Sequence, residues 1–172
     1  MLLANVITDL TDWLGDVAAN WWFLLVILVI AFLDSVVPVV PSETAVIIGG
    51  VAAGQGDQNR ALVILCAALG AFGGDNTAYA IGHRFNGWIV NRARHNPKTA
   101  KRLEWAATQI RKRGGPLLIT ARFIPGGRTA LTITSGLTPP PRGWFSAWIA
   151  VAAVTWASYA AGIGAIFGNR FK

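Results

Sequence analysis

The chain has 172 residues, of which 53% are hydrophobic and only 13% are charged. Soluble domains usually carry about 25% charged residues, so the composition favours a membrane protein of one domain and several helices. The net charge of +7 does not indicate a nucleic-acid partner, because the positive residues are concentrated in one part of the chain.

Residues 1–20 are predicted to form an amphipathic helix. Their apolar residues recur at helical spacing, and acidic residues occupy the opposite side: Asp9, Asp12 and Asp16. Two placements fit this pattern, a helix lying in the membrane interface and an early helix packed against the rest of the bundle.

Residues 21–56 are predicted to form a re-entrant hairpin, which enters the membrane and returns to the same side. The apolar run 21–33 gives about 20 Å of helix at 1.5 Å per residue, too short for a hydrocarbon core of about 30 Å. Pro38 and Pro41 forbid a continuous helix after it, and a second short apolar piece follows at 44–53. Such irregular backbone is tolerated only where protein or water surrounds it.

Residues 61–82 are long enough to span a membrane as a helix. This segment contains Asp75 and, just before it, small residues that permit close contact between helices.

The linker at 83–115 carries most of the positive charge. Nine of the 15 Lys and Arg residues lie between 84 and 113, and residues 1–59 contain none. Positive clusters between apolar segments lie on the cytoplasmic side, so the linker is predicted to be cytoplasmic. An amphipathic helix is expected at 98–113, with anionic lipid headgroups as its partner.

Residues 116–138 are predicted to form a second re-entrant hairpin, divided into two short halves around Pro125, Gly126 and Gly127. Residues 143–168 contain no charge and form the clearest predicted spanning helix.

The two halves of the chain resemble each other. Residues 43–45 match 128–130 at an offset of 85, and residues 75–82 resemble 155–162 at an offset of 80. One spanning helix separates the two hairpins, so they are expected to enter from opposite faces. The predicted fold is therefore an all-α polytopic membrane protein with an inverted repeat of hairpin and spanning helix.

Opposite charges occur in the two hairpins. Asp34 and Glu43 belong to the first hairpin, and Arg122 and Arg128 belong to the second. Charges at membrane depth are costly and face a cavity, a partner or a substrate. In a purely structural interpretation, the acids pair with the arginines and hold one conformation.

In a functional interpretation, the arginines bind an anion. Arginine presents a planar fork of donors that suits phosphate and keeps its proton. Arg122 and Arg128 flank Pro125, Gly126 and Gly127, so together these residues are predicted to hold one anionic headgroup.

The acids are predicted to exchange protons. A carboxylate in a poorly solvated site can take up and release a proton near neutral pH, which makes Asp34, Glu43 and Asp75 candidates for coupling proton movement to anion movement. Asp75 has a plain alternative, in which it only hydrogen-bonds Tyr79 or pairs with an arginine.

No enzyme chemistry, metal or cofactor is predicted. Cys66 stands alone, so no disulfide or cysteine metal site is expected. His83 and His95 lie at the basic linker without metal-ligand spacing, and no catalytic Ser/His/Asp or Cys/His set is evident.

The chain contains three motifs whose combination is specific enough to indicate a protein family. They are the acidic, proline-broken segment 32–43, the Gly-Asp motif with its later Tyr, Gly and Arg at 74–87, and the Arg-Phe-Ile-Pro motif with its later Arg and Ser-Gly at 121–136. This combination resembles the DedA family of bacterial membrane proteins, which shares the VTT, or SNARE-associated, domain with eukaryotic relatives.

The resemblance implies lipid movement. Bacterial members are implicated in flipping polyprenyl phosphates, such as undecaprenyl phosphate, for cell-envelope synthesis, and eukaryotic relatives are linked to phospholipid scrambling. Carried to this chain, the resemblance gives the proton-linked positions to Asp34 and Glu43 and the basic positions to Arg122 and Arg128.

The expected protein is therefore a proton-linked flippase of a lipid phosphate in the bacterial cytoplasmic membrane. Three alternatives remain open: a phospholipid scramblase, a membrane-organising protein that transports nothing, and an exporter of a small ion or drug.

Overall fold

A computed structural model describes residues 17–37, 41–124, 127–137 and 140–170. Within these ranges the chain consists of helices and short connections, with no β-strand. Most of the predicted N-terminal amphipathic helix lies outside the described residues, as do Pro38, Pro125 and Gly126.

The described α-helices are α1 (Trp22–Val36), α2 (Ser42–Gln55), α3 (Arg60–Arg84), α4 (Asn86–Arg94), α5 (Pro97–Arg113), α6 (Gly115–Thr120), α7 (Gly127–Leu137) and α8 (Arg142–Arg170), with a 3₁₀ turn at Ala121–Phe123 between α6 and α7. Within the described ranges, α3 and α8 are the helices long and apolar enough to cross a membrane. They coincide with the two segments that the sequence predicts to span it.

The first helix extends beyond its apolar run and ends just before the first proline. α1 continues through Asp34 to Val36, and Val37 has an extended backbone with φ −123° and ψ 100°. A residue that precedes proline is driven out of the helical region by the proline ring, so Pro38 sets the end of α1. Asp34 consequently lies in the last turn of a helix.

Two apolar clusters form the core, and both include residues of the long helices. The larger cluster joins buried residues of α1, α2, α3 and α8. The smaller one gathers around Tyr79, whose ring stacks on Phe145 at 4.5 Å between centroids. Since α3 and α8 contribute to both clusters, they form the frame on which the shorter helices pack.

Glycine lets the helices approach closely. A Cβ added to Gly50 of α2 would meet the main-chain carbonyl of Ala161 in α8, and a Cβ added to Gly136 of α7 would meet that of Tyr79 in α3. Gly50 and Gly136 are 86 residues apart, and their partners are 82 residues apart. The two contacts therefore correspond, and each joins a helix of one half to the long helix of the other half.

A second pair of contacts repeats the same relation. Gly164 of α8 lies against the carbonyl of Ile47 in α2, and Gly82 of α3 lies against that of Ile133 in α7. Here the glycines are 82 residues apart and their partners are 86 residues apart. The offset between α3 and α8 is thus 82 in both pairs of contacts, and the offset between α2 and α7 is 86. The offsets of 80 and 85 obtained from the sequence are therefore two residues and one residue too short, because short matches of Ala and Gly do not fix an alignment.

Gly164→Ala is expected to lower the thermal stability of the protein, because the new methyl group would press on the carbonyl of Ile47. Overpacking of this kind costs about 1–3 kcal/mol. Gly143→Ala in the same helix is the control, since nothing lies within 4 Å of that position. Thermal unfolding in detergent, followed by circular dichroism, measures both variants, and equal midpoints would contradict the tight contact.

The linker forms two helices, α4 and α5. Asn96 caps α5 by accepting hydrogen bonds from the main-chain N–H groups of Lys98 and Thr99, at 3.1 and 3.3 Å. Ala107 and Ile110 on α5 are buried, and Ile110 belongs to the smaller apolar cluster. The basic side chains of α5 that the structure describes face outward: Lys98, Lys101, Arg102, Lys112 and Arg113.

Candidate functional site

Four charged side chains meet where the short helices approach α3. This charge cluster consists of Asp34 in the last turn of α1, Asp75 in α3, Arg122 in the 3₁₀ turn and Arg128 in the first turn of α7. The side chains come from both halves of the chain, as the opposite charges of the two predicted hairpins suggest.

The inner part of the cluster is an ion pair between Arg122 and Asp75. Nη1 of Arg122 donates a hydrogen bond to Oδ2 of Asp75 at 2.5 Å, and the two side chains are 1% and 0% exposed. Of the two alternatives for Asp75, the pairing with an arginine is the one that the structure shows. The guanidinium carbon also lies 5.3 Å from the centre of a ring of Trp156 in α8.

One edge of the Arg122 guanidinium has no protein acceptor among the described residues. Its Nε and Nη2 are buried and make no hydrogen bond there. These two N–H groups form the edge that can bind two oxygens of one phosphate or carboxylate. Since buried polar groups are normally hydrogen-bonded, the unpaired edge indicates a place for water or an anionic ligand.

Arg128 connects the two acids. Its Nη2 donates to the main-chain oxygen of Asp34 at 2.5 Å and lies 3.2 Å from Oδ2 of the same residue. Its Nε lies 3.8 Å from Oδ1 of Asp75, which is within ion-pair range but beyond hydrogen-bond range. One arginine from the second half thus contacts an acid on α1 and an acid on α3.

The cluster is closed on one side and partly open on the other. The side chains of Arg128 and Asp34 are 11% and 17% exposed, whereas those of Arg122 and Asp75 are only 1% and 0% exposed. Asp34 and Arg128 therefore form the more accessible part of the cluster.

Ser42 is a member of the site that the sequence did not indicate. It is the first residue of α2, is buried, and its Oγ donates to Oδ2 of Asp34. This hydrogen bond joins the end of α1 to the start of α2 across the proline-containing connection. No spacing rule connects a serine and an aspartate eight residues apart when the helix boundary between them is unknown.

Glu43 lies beside the cluster and outside it. Its side chain is exposed in the first turn of α2, and the ion pairs seen in the described part of the chain do not include it. An acid is favourable at this position in any case, because a helix N-terminus attracts negative charge. The predicted convergence of Glu43 with the arginines is thus not observed, while that of Asp34 is.

Two buried hydroxyl groups extend the polar lining along α7. Thr129 and Thr132 are 8% and 1% exposed, and their Oγ1 atoms make no hydrogen bond to any described residue. Thr132 follows Arg128 by four residues, so both lie on one side of the helix. The sequence gives no signal for them, because threonine in an apolar helix is usually structural.

Of the residues predicted to break the hairpins, Pro41 and Gly127 lie in the described ranges. Pro41 precedes α2 directly, as a helix-breaking residue should. Gly127 begins α7, and its N–H donates to the carbonyl of Ile124 at 3.0 Å. That amide is therefore engaged within the turn and is not directed at an anion.

Metal chemistry has no donor set in the described ranges, where no group of three or more His, Cys, Asp or Glu side chains could hold an ion. The described site instead brings two arginines and two aspartates together inside a helical protein.

Comparison with known proteins shows the family. The VTT domain profile matches residues 37–166. Inner membrane protein YohD of Escherichia coli is 34% identical over 67% of this chain and 58% of its own length. An uncharacterized membrane protein of Haemophilus influenzae is 30% identical over 69% of this chain and 56% of its own. Protein DedA of Escherichia coli is 24% identical over 97% of this chain and 80% of its own.

The chain belongs to the DedA family of membrane proteins, whose shared unit is the VTT domain. It spans less than two thirds of the length of the first two relatives. No solved structure matches it.

Proposed function

We propose that the protein is a proton-linked transporter that moves a lipid phosphate of the polyprenyl phosphate type across the bacterial cytoplasmic membrane. The observation that carries this proposal is the buried Nε–Nη2 edge of Arg122, which has no hydrogen-bond partner among the described residues. Such an edge can bind two oxygens of one phosphate, and arginine cannot lose its charge at physiological pH.

The corresponding contacts of the two halves support an inverted repeat with two re-entrant hairpins. In each half, one short helix packs on the long helix of the same half and the other packs on the long helix of the opposite half. Transporters with such repeats place their sites between the halves, where rocking of one half against the other opens the site to each face in turn. The charge cluster lies at this junction.

Charge balance supports proton coupling. Two aspartates and two arginines in the cluster sum to zero when all are ionised. A bound phosphate would leave the cluster negative, and negative charge nearby favours the protonated form of a carboxylate. Asp34 is the better placed acid for exchanging a proton, since its side chain is partly exposed and that of Asp75 is not.

The direct test is a flipping assay in proteoliposomes. Wild-type protein is expected to move a fluorescent polyprenyl phosphate across the bilayer, faster with a proton gradient than after addition of a protonophore. Equal flipping of phosphatidylethanolamine and of the polyprenyl phosphate, unaffected by the protonophore, would identify a scramblase instead.

Asp34→Asn is expected to lower the flipping rate at least tenfold and to flatten its dependence on pH, because the partly exposed proton site is removed while Ser42 and Arg128 keep a polar partner. Glu43→Gln is the matched control, because Glu43 directly follows Ser42 in α2 but lies outside the cluster. It is expected to keep at least half of the wild-type flipping rate. The measurement is the initial flipping rate between pH 6 and 8. The reverse order of the two variants would move the proton role to Glu43.

A second candidate function is that of a membrane organiser without transport, in which the charges only hold the fold. The ion pairs of Arg122 and Arg128 favour this candidate, whereas the unpaired donor edge and the unpaired hydroxyls of α7 count against it. Removal of both Asp75 and Arg122 in one variant separates the two functions.

We also propose that the linker lies on the cytoplasmic membrane surface and contacts anionic lipid headgroups. The exposed cations of α5 suit anionic lipids, and the exposed rings of Trp88 and Trp105 suit the interfacial layer.

A further inference from the structure

Trp156 is buried at the middle of α8 and lies over a cation. Tryptophan in membrane proteins is enriched at the membrane–water interfaces, yet this side chain is only 2% exposed. Its ring centre is 5.3 Å from the guanidinium carbon of Arg122. That distance is within the range of about 6 Å for an attractive contact between a cation and an aromatic face.

Two contacts of different geometry hold the Arg122 guanidinium. Asp75 accepts a hydrogen bond from one end of the group, at Nη1, and the guanidinium carbon lies over a ring of Trp156. The indole contact is a second restraint on the guanidinium, and Nε and Nη2 are the atoms that make no hydrogen bond to a described residue.

We propose that Trp156 is a positioning residue for the anion site: it holds the Arg122 guanidinium so that the Nε–H and Nη2–H groups can donate hydrogen bonds to a phosphate. This inference rests on the proposed function. It also gives α8 a role in substrate binding. That helix carries no charge between its first and last residues, so it would act through the electron density of one indole ring.

The strength of a cation–aromatic contact depends on the negative potential at the ring face. Each added fluorine withdraws electron density, which makes that potential less negative and changes the ring size very little. Replacing Trp156 with mono-, di- and trifluorotryptophan by nonsense suppression therefore weakens the contact without disturbing the packing. The dissociation constant of farnesyl phosphate, a short-chain probe, is measured on the full chain in detergent together with the flipping KM and Vmax.

The expected result is a stepwise rise of the dissociation constant and of KM with the number of fluorines, about tenfold over the series, with little change in Vmax. Trp148 on the same helix is the matched control, because its ring packs against Trp144 at 6.3 Å between centroids and against Gly115. The fluorinated series at Trp148 is expected to leave both constants unchanged.

A flat series at Trp156, in a protein that binds farnesyl phosphate and flips the lipid, overturns the positioning role and leaves the proposed function standing. A wild-type protein that neither binds the probe nor flips the lipid overturns both. Equal slopes at Trp156 and Trp148 also overturn it, because a general effect of fluorine on the protein would then account for the trend.

Discussion

Arg122→Lys is expected to reduce flipping of the polyprenyl phosphate by about 100-fold or more while the protein stays folded. Lysine keeps a positive charge beside Asp75 but has no planar fork, so the two-point contact with phosphate is lost. Hydrogen bonds to charged groups contribute about 1.5–3 kcal/mol each, and about 1.4 kcal/mol corresponds to a factor of ten. Initial rates in proteoliposomes measure the effect.

Arg142→Lys is the control for this exchange, because Arg142 is an exposed residue at the start of α8. It is expected to flip lipid at the wild-type rate. Thermal unfolding of the Arg122→Lys protein should remain close to that of wild type. An unchanged rate for Arg122→Lys would show that charge alone suffices and would remove the reason for proposing a phosphate fork.

Asp75→Asn is expected to cause the largest loss of stability, about 3–5 kcal/mol. The Arg122 guanidinium would remain buried at 1% exposure without the charge that compensates it. Thermal unfolding in detergent measures the loss. A double variant, Asp75→Leu with Arg122→Leu, is expected to recover most of the stability, because replacing a whole buried ion pair by apolar residues is often neutral.

The double variant also separates the two candidate functions. A transporter without Arg122 should remain inactive in the flipping assay even though the protein is stable again. An organiser that uses the charges only to hold its fold should regain its function in cells that depend on it. Recovery of flipping by the stable double variant would contradict the role of Arg122 in binding the headgroup.

The sequence alone indicated much of this site. Asp34, Arg122 and Arg128 could be predicted because charges within short, proline-interrupted apolar segments need partners. The pairing of Asp75 could not be chosen from the sequence, because Tyr79 and either arginine were acceptable partners. The structure decides it, since the packing of the two halves brings Nη1 of Arg122 to Oδ2 of Asp75.

Ser42 and Glu43 show where sequence reasoning ends. A helix turns by about 100° per residue, so the residue that faces inward depends on how the helix is rotated about its own axis. α2 begins at Ser42, and its packing on α8 directs Ser42 toward Asp34 and leaves Glu43 exposed. A motif that contains both residues cannot distinguish them, because both are polar and adjacent.

What the sequence determined by itself is the class of the protein: a helical membrane protein with two long apolar helices and opposite charges in its broken segments. Composition and segment length are enough for that, because the cost of exposing charge and backbone to lipid acts on each segment separately. Only the tertiary structure decided that Asp75 pairs with Arg122, that Glu43 stays outside the cluster and that the Arg122 guanidinium lies over a ring of Trp156. α8 is apolar on every side, so its sequence carries no signal for the inward face, and packing against the other helices alone selects it.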